Sequence, residues 1–289
     1  MDIERLVGNP ESVRVSSVTE ENRRARTLFF PVKRRDVKVQ PGQFFMIWVP
    51  GVDEVPMSVS FWESPHAGVT VLPVGEATQA LVSMSKGQYI GVRGPFGNHF
   101  EVQPERALVV GGGIGMAALR LLVYSLFEVS KHVTLLMAAR TADDLIFVDE
   151  FTKLARKGLV LKLATDDGSA GFKGLASDAA ESIISKSDFD IMYTCGPELM
   201  MVELCKIAYR KGIQIQASLE RFMKCGCGIC GSCALDTTGD LVCLDGPVFS
   251  WNQLAKISEF GNYCRDSTGA KKALRHAQNG TKEVKPRGH

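Results

Sequence analysis

The chain has 289 residues, a length that suggests about two domains. Its hydrophobic content of 45% and charged content of 23% are ordinary for a globular protein, and its net charge of +2 predicts neither a nucleic-acid nor a membrane partner. Its apolar stretches are too short to span a membrane and no signal sequence is recognised, so we expect a cytoplasmic protein with reduced cysteines.

Residues 1–103 predict an antiparallel β-barrel. From about residue 10, short segments rich in Val, Thr, Phe and Ile alternate with turns. The clearest segments are residues 13–15, 27–30, 44–49, 69–72 and 89–92. Strands this short, separated by closely spaced turns, are typical of antiparallel barrels.

Residues 104–218 predict an α/β domain built on a parallel sheet. A buried strand at residues 107–110 leads into Gly-Gly-Gly-Ile-Gly at 111–115 and then into an apolar helix over residues 116–129. Further elements are predicted as strands at residues 133–138, 160–164, 191–195 and 213–218 and a helix at about 199–211. This alternation of strands and helices is the pattern of βαβ units.

Residues 219–262 predict a small iron–sulfur module. Five of the eight cysteines lie between positions 225 and 243. Four of them follow the spacing C-x4-C-x2-C-x9-C: Cys225, Cys230, Cys233 and Cys243. This is the ligand spacing of a plant-ferredoxin-type [2Fe-2S] cluster, and the glycines between the cysteines leave room for inorganic sulfide. The pattern therefore predicts a protein that moves single electrons, and it leaves Cys227 as an extra thiol.

Other interpretations of these cysteines remain open. Cys227, Cys230 and Cys233 also match the opening of a [4Fe-4S] pattern, although Thr237 stands where its fourth cysteine is expected. A structural zinc site would usually add a second C-x2-C pair, which does not follow Cys233. A disulfide framework is disfavoured because no signal peptide precedes the chain.

The last segment, residues 263–289, is basic. It contains seven Lys or Arg residues against two acidic residues. A solvated, frayed tail is the expected structure.

Two turns of the α/β domain have the features of a dinucleotide site. Residues 111–115 stand between a strand and a helix, where glycine lets the backbone approach a pyrophosphate. Cys195 and Gly196 follow the last parallel strand, at the end where open α/β sheets bind ligands. Taken alone, the glycines also fit a packing role, and Cys195 fits a buried core thiol.

Two motifs of the barrel have features of a flavin site. Pro56-Met57-Ser58 lies on a predicted strand, and residues 72–78 end in a Gly-x-x-Thr turn that opens a short helix. Hydroxyl and backbone N–H groups at these positions could bind a flavin ring and its phosphates. An ordinary barrel strand and a helix cap at Thr78 explain the same residues.

The order of these motifs carries a family resemblance. Pro-x-Ser, Gly-x-x-Thr, Arg-Gly-Pro-Phe-Gly-Asn-His-Phe at 93–100, Gly-Gly-Gly-Ile-Gly and Cys-Gly-Pro-Glu-Leu-Met at 195–200 resemble the ferredoxin–NADP reductase superfamily over about residues 10–220. The motifs at 218–226, Ser-Leu-Glu-Arg-Phe-Met-Lys-Cys-Gly, and 242–249, Val-Cys-Leu-Asp-Gly-Pro-Val-Phe, narrow the match. They resemble the electron-transfer subunits of NAD-dependent dihydroorotate dehydrogenases, with the archaeal branch the nearer likeness.

The resemblance implies a defined electron path. FAD would bind the barrel, NAD(H) the α/β domain and a [2Fe-2S] cluster the C-terminal module. Electrons would pass from the FMN of a separate dihydroorotate dehydrogenase catalytic subunit through the cluster and FAD to NAD+, in pyrimidine (UMP) biosynthesis. Two copies of each subunit would form a heterotetramer, with no nucleic-acid or membrane partner.

The resemblance also implies site residues. The flavin contacts would be Pro56, Met57, Ser58 near the flavin N5, Leu72, Pro73, Val74, Gly75, Ala77 and Thr78. The nucleotide contacts would be Gly112, Gly113, Ile114 and Gly196. Cys195 would lie on the hydride path, and Cys225, Cys230, Cys233 and Cys243 would bind the cluster.

One position departs from the family pattern. The flavin strand of the family often begins Arg-Pro-x-Ser, whereas this chain has Val55. The charge of the flavin pyrophosphate would then be met by backbone amides, by Thr78 or by a base such as Arg93. The loop after residue 139 does not decide between NAD and NADP, because Arg140 is followed by the acidic pair Asp143-Asp144.

Two alternative functions are compatible with the sequence. One is an FAD/[2Fe-2S] reductase subunit of another complex, of the ferredoxin:NADP or sulfide dehydrogenase type. The other is a zinc-stabilised binding module without redox activity. Apolar residues near the cysteines could anchor a partner or simply cover the cluster: Ile229, Leu244, Phe249 and Trp251.

Overall fold

The computed structural model describes residues 8–32, 38–103, 105–130 and 132–274. Within these ranges the chain forms two seven-stranded sheets and a two-stranded hairpin. None of the helices in the described ranges has the length and apolar character needed to cross a membrane.

The first sheet is antiparallel and curls into a barrel. Its strands are β1 (Glu11–Arg14), β2 (Ser17–Glu20), β3 (Arg26–Pro31), β4 (Phe44–Val49), β5 (Asp53–Glu63), β6 (His66–Val71) and β7 (Tyr89–Phe96). They are arranged in the order β1-β7-β4-β5-β6-β3-β2. β1 and β2 are the two edge strands of the sheet, and they pair with β7 and β3 respectively. Because they are consecutive in the chain, the short connection between them brings the two edges together.

The barrel has an apolar interior and an apolar outer face. Side chains alternate along β4, so that Phe45 and Ile47 pack inside the barrel while Phe44 and Met46 pack against the rest of the molecule. Helix α1 (Glu76–Val82) follows β6 and buries Ala77, Thr78 and Leu81. The predicted barrel strands are found, and β4 has the predicted bounds.

The second sheet is parallel apart from one edge strand. Its strands are β8 (Arg106–Gly112), β9 (His132–Ala139), β10 (Val160–Thr165), β11 (Phe172–Lys173), β12 (Ile191–Cys195), β13 (Gln214–Ser218) and β14 (Val248–Ser250). The helices that cover it are α2 (Met116–Val129), α3 (Val148–Ala155), α4 (Ala176–Ile184) and α5 (Glu198–Lys211). The strand order is β11-β10-β9-β8-β12-β13-β14, with β14 antiparallel to β13.

This strand order locates a ligand site. The chain adds β9, β10 and β11 on one side of β8, and then adds β12 and β13 on the other side. The turns that follow β8 and β12 therefore flank the point where the winding direction reverses. Open α/β sheets bind their ligands at such a point.

The C-terminal module packs on both sheets. It contributes β14, helix α6 (Trp251–Leu254) and the hairpin of β15 (Tyr263–Arg265) and β16 (Lys271–Ala273). Its buried cysteines, Cys233 and Cys243, share one apolar cluster with Phe44 and Met46 of the barrel.

The prediction of a frayed tail from residue 263 was wrong for residues 263–274, which form this hairpin. The carboxylate of Asp236 holds it, since Arg265 Nη2 lies 2.7 Å and Lys271 Nζ 3.0 Å from Asp236 Oδ2. The remainder of the predicted tail, residues 275–289, lies outside the described residues.

Candidate functional site

Two of the predicted flavin contacts lie on the barrel face that meets the C-terminal module. Pro56 is directly opposite Met46 across β4 and β5, and Ser58 is opposite Phe44. Directly opposed residues share a face of the sheet. Met57, between them, packs toward the barrel interior instead.

The turn that follows β6 uses its hydroxyl locally. Thr78 Oγ1 accepts hydrogen bonds from the backbone N–H groups of Val74 and Gly75, both at 2.9 Å, and donates to the Gly75 carbonyl at 2.9 Å. Val74 is 79% exposed, while Ala77 is buried. The N-cap of α1 is Gly75 and not Thr78, which stands at the third helical position and bonds back to the cap; a phosphate contact from the Thr78 hydroxyl stays a prediction.

Leu72 and Pro73 follow β6 at the start of the turn that leads into α1. Both are half-buried, and Leu72 packs against the apolar core of the α/β domain. The backbone at Gly75 is open, since a Cβ added there would meet no atom within 4 Å. This turn therefore has room for a ligand at its exposed end.

The two predicted nucleotide turns are in direct contact. A Cβ on Gly115 would lie 2.4 Å from the Cys195 carbonyl oxygen, and one on Gly196 would lie 2.9 Å from the Gly112 Cα. Only glycine permits these approaches. Gly113, in contrast, has open space around it and a φ of +53° at the start of the turn that leads into α2.

Ile114 lies in this same turn and is half-buried. The N-terminus of α2 follows immediately, so backbone N–H groups are available for an anion. The structure thus brings Gly112, Gly113, Ile114 and Gly196 together at the switch point.

Cys195 is a core residue. It is 1% exposed, and burial raises the pKa of its thiol well above the usual range. Its side chain packs in the apolar cluster under α2, so the thiol is neutral and shielded from solvent. The backbone of Cys195 borders the nucleotide turns, and a catalytic role for its thiol stays a prediction.

Glu220 is a candidate residue that sequence reasoning missed. The residue as a whole is exposed, yet protein atoms crowd its carboxyl group and raise its pKa, against the lowering effect of Arg221. Its carboxylate is near enough to Cys195 to disfavour the Cys195 thiolate. The available signal was its place in the motif at 218–226, between a buried strand and the first cluster cysteine.

The cysteine loop directs backbone N–H groups at sulfur atoms. Cys225 Sγ accepts from the N–H groups of Cys227, Ile229 and Cys230 at 3.5, 3.3 and 3.4 Å. Cys243 Sγ accepts from Gly228 N–H at 3.2 Å. Hydrogen bonds to sulfur stabilise thiolates and tune iron–sulfur centres.

These contacts shift the cysteine pKa values. Burial disfavours the Cys225 thiolate, but N–H donors and the Cys230 thiol outweigh it and lower the pKa of Cys225 to about 6. A hydrogen bond from Cys243 lowers the pKa of Cys233 to about 7, and the same bond raises the pKa of Cys243. The predicted ligands are thus close in two pairs, Cys225 with Cys230 and Cys233 with Cys243.

Two pairs of thiols suit a binuclear cluster, in which each iron takes two cysteines. Within the described ranges, no three His, Cys, Asp or Glu side chains are gathered as a single metal ion would require. Cys227 also lies beside Cys225, where burial and the Cys225 thiolate raise its pKa.

Arg93 fastens the cysteine loop to the barrel. Its guanidinium bonds Glu54 through Nε at 2.8 Å and Nη2 at 2.5 Å, and Nη2 also donates to the Cys225 carbonyl at 3.1 Å. Beside it, Gly226 fits closely over Met46, since a Cβ on Gly226 would lie 2.6 Å from Met46 Cγ. Arg93, suggested as a base for the flavin pyrophosphate, is engaged with Glu54 and the cysteine loop.

Asn98 fastens the second half of the module. Its side-chain amide donates to the carbonyls of Asp245 at 2.7 Å and Val248 at 2.8 Å, and its Oδ1 accepts from Val248 N–H at 2.9 Å. Gly97 packs against Pro247, where a Cβ would lie 2.6 Å from Pro247 Cδ. The motif at 93–100 is therefore the seat of the C-terminal module, a role that its sequence alone did not reveal.

The apolar residues near the cysteines divide between surface and core. Ile229 is 68% and Leu244 46% exposed, so both are available at the surface. Phe249 is fully buried. Trp251 is half-buried, with its ring centroid 5.9 Å from that of Tyr209.

Two family models match the chain. Residues 109–206 match the oxidoreductase NAD-binding domain, and residues 220–255 match the iron–sulfur cluster binding domain of dihydroorotate dehydrogenase B. The second match covers the cysteine loop, β14 and α6.

Solved structures share the fold. The chain is 30% identical to a protein from a structure of an NADH-dependent reduced ferredoxin-NADP oxidoreductase, with a TM-score of 0.74 over 86% of this chain and 92% of that one. The flavohaem-like FAD/NAD binding domain of nitric oxide dioxygenase from Vibrio cholerae has a TM-score of 0.64 at 21% identity, covering 73% of this chain and 99% of that one. The latter likeness concerns the fold alone.

Two curated relatives are similar over most of the chain. The probable dihydroorotate dehydrogenase B (NAD(+)), electron transfer subunit, of Methanocaldococcus jannaschii is 41% identical over 262 residues, which are 91% of this chain and 98% of the relative. Its namesake in Methanothermobacter thermautotrophicus is also 41% identical, over 90% of this chain and 96% of the relative. The chain belongs to the family of dihydroorotate dehydrogenase B electron transfer subunits.

Proposed function

We propose that this chain is the electron-transfer subunit of an NAD-dependent dihydroorotate dehydrogenase and acts in pyrimidine biosynthesis. It would carry electrons from the FMN of a separate catalytic subunit, through a [2Fe-2S] cluster and FAD, to NAD+. The observation that carries the proposal is the seating of the cysteine loop. Gly226 rests on Met46, the cross-strand neighbour of Pro56, so the residues expected to hold the flavin and the cluster share one barrel face.

The cluster would be held by Cys225, Cys230, Cys233 and Cys243. The N–H groups aimed at their sulfur atoms support this assignment, because iron binds the thiolate form. When bound, the cluster carries single electrons, and the flavin joins them to the two-electron chemistry of NAD(H).

The flavin ring would lie against Pro56 and Ser58, with Leu72, Pro73 and the backbone of Val74 and Gly75 beside it. The open space at Gly75 supports this assignment. Because Val55 replaces the arginine of the family and Arg93 is paired with Glu54, backbone amides would meet the pyrophosphate charge.

NAD+ would bind at the switch point, along Gly112, Gly113, Ile114 and Gly196. Two carboxylates favour NAD over NADP. Asp166 and Asp167 follow β10, and their N–H groups bond the carbonyls of Ala139 and Arg140 at 3.1 and 3.2 Å. Burial raises the pKa of Asp166 and the nearby Arg140 opposes the rise, and carboxylates at this position would disfavour a 2′-phosphate.

The catalytic subunit would dock where electrons enter. Ile229 and Leu244 are exposed on the cysteine loop, and exposed apolar residues beside a redox centre suit a partner surface. A heterotetramer with two copies of each subunit, located in the cytoplasm, is part of the proposal.

The test is reconstitution with an FMN-containing dihydroorotate dehydrogenase catalytic subunit from the same source. We expect the two proteins to co-purify, and dihydroorotate to reduce NAD+ only when both are present. Cys225→Ser should abolish NAD+ reduction, whereas Cys264→Ser, which alters a cysteine outside the loop, should not.

Two results would overturn the proposal. A colourless protein with one bound zinc would support the binding-module alternative. A flavin and iron–sulfur protein that exchanges electrons with reduced ferredoxin, but never with the catalytic subunit, would support the other reductase class.

A further inference from the structure

Arg221 is a buried cation that joins two units of the molecule. Its side chain is 4% exposed. Nη1 lies 2.6 Å from Glu198 Oε2, at the start of α5 in the α/β domain. Nε lies 2.5 Å from Glu259 Oε1, in the C-terminal module. One guanidinium thus bridges carboxylates of the nucleotide domain and the module.

Both carboxylates also accept backbone hydrogen bonds from the module. Glu198 Oε1 accepts from Gly261 N–H at 2.8 Å, and Glu259 Oε2 accepts from Asp236 N–H at 3.0 Å. Glu259 is 1% and Glu198 10% exposed at the side chain. Glu198 Oε1 accepts from Arg221 Nη2 at 3.2 Å as well, so both carboxylates bind Arg221 and the module backbone together.

Two members of this bridge, Glu198 and Arg221, are sequence neighbours of the two proposed redox sites. Only Pro197 separates Glu198 from the turn at Cys195 and Gly196, which touches Gly112. Arg221 lies in the short segment between β13 and Cys225, the first cysteine of the cluster loop. The bridge therefore connects the nucleotide turn with the base of the cysteine loop.

We propose that Arg221 is a positioning residue that fixes the cluster module relative to the nucleotide turn through Glu198 and Glu259. This inference rests on the proposed function, since it concerns the spacing of the sites named there. A planar guanidinium can bond two carboxylates at once in fixed directions, which a lysine cannot do. A buried ion pair is weak as a source of net stability, whereas its loss leaves uncompensated charges that force the units to rearrange.

The experiment compares full-length wild-type protein with Arg221→Met and Arg221→Lys. The matched control is Arg106→Met, because Arg106 pairs with Asp190 at 2.8 Å and Asp188 at 3.3 Å on an exposed part of the α/β domain. Three quantities are measured: amide hydrogen exchange of residues 234–238 and 259–262, flavin reduction by NADH in the absence of any other electron acceptor, and the rate at which the cluster is then reduced.

Arg221→Met should raise exchange in both peptides at least about tenfold, the effect of losing about 1.4 kcal/mol of local stability. It should slow cluster reduction by about tenfold or more while flavin reduction stays within about twofold. Arg221→Lys should retain wild-type iron content and still slow cluster reduction, because lysine keeps the positive charge but lacks the planar guanidinium that bonds both carboxylates. Arg106→Met should change none of the three.

Several outcomes would overturn the inference. Unchanged exchange and cluster reduction in Arg221→Met would mean that the bridge fixes nothing. An equal loss of flavin reduction and cluster reduction in Arg221→Met would mean that the substitution damages the whole protein. Wild-type rates in Arg221→Lys would mean that the planar guanidinium is not needed to position the module. If Arg221→Met does not fold, Glu259→Gln, which keeps the Glu198 pair, should show the same changes at smaller size.

The hydrogen-exchange arm requires no cofactor, so it separates the two proposals. A wild-type protein without flavin or iron would contradict the proposed function. The same protein would still report whether Arg221 holds the module.

Discussion

Replacing Asn98 with Ala should loosen the C-terminal module from its seat. The substitution removes three hydrogen bonds between the side chain and the backbone of residues 245 and 248, and leaves only the backbone bond from Asn98 N–H to the Gly246 carbonyl. At about 1 kcal/mol for each of the two part-buried hydrogen bonds and less for the exposed one to Asp245, the module segment would lose about 2–3 kcal/mol of local stability. This corresponds to roughly a hundredfold increase in the population of the opened segment.

Amide hydrogen exchange of Leu219, whose N–H donates to the Pro247 carbonyl at 2.9 Å, measures this population, and exchange of Val248, whose N–H donates to Asn98 Oδ1, reports the loss of that bond. Iron release to a chelator should accelerate in parallel, while flavin content stays at the wild-type level. The control is Asn262→Ala, which removes one exposed hydrogen bond to the Ser258 carbonyl and should change exchange at Val248 about twofold or less. Wild-type exchange at Val248 in the Asn98 variant would refute the reasoning that this side chain holds the segment.

Three further predictions concern single residues. Cys227→Ala should keep the wild-type iron content and visible spectrum, because the backbone N–H of Cys227 is what bonds Cys225 Sγ; iron loss would make Cys227 a ligand. Gly97→Ala should destabilise the protein by roughly 1–3 kcal/mol, since its Cβ would lie 2.6 Å from Pro247 Cδ at a φ of +78°; an unchanged thermal midpoint would contradict this. The pKa of Glu220 is raised in the folded protein, so its contribution to stability is complete below the unfolded pKa, about 4.3, and is lost as the pH rises through the folded value. Glu220→Gln should therefore flatten the fall in urea midpoint between about pH 4 and neutrality, and identical pH profiles would show that the carboxyl is not desolvated.

The main features of the fold were predictable because they depend on local pattern. The strand at residues 107–110 is apolar on both faces, as a central parallel strand requires, and it lies at the centre of the second sheet. The glycines at 112 and 196 were recognised as special by sequence, and their backbones are in contact. Each of these signals spans only a few residues of the chain.

The features that sequence did not reveal depend on distant partners. The pairing of β14 with β13 joins residues separated by the whole cysteine loop, and β14 has only three residues. Asn98 stood out only as part of the motif at 93–100, because its partners, residues 245–248, are far along the chain. Thr78 and Cys195 carry recognisable chemistry, but only the structure shows that one hydroxyl closes its own turn and that one thiol is buried.

The antiparallel pairing of β13 with β14 also bears on how the cysteine segment is prepared for iron. Cys225, Cys230, Cys233 and Cys243 all lie between these two strands, so the sheet closes a loop around them. Bringing the ends of a flexible loop together has an entropic cost, which here is met by strand pairing rather than by metal binding. During synthesis, β13 would remain an unprotected sheet edge until residue 250 has left the ribosome, and a fragment that ends at residue 218 would be prone to self-association. Completion of the nucleotide domain and preparation of the cluster loop are thus one folding event.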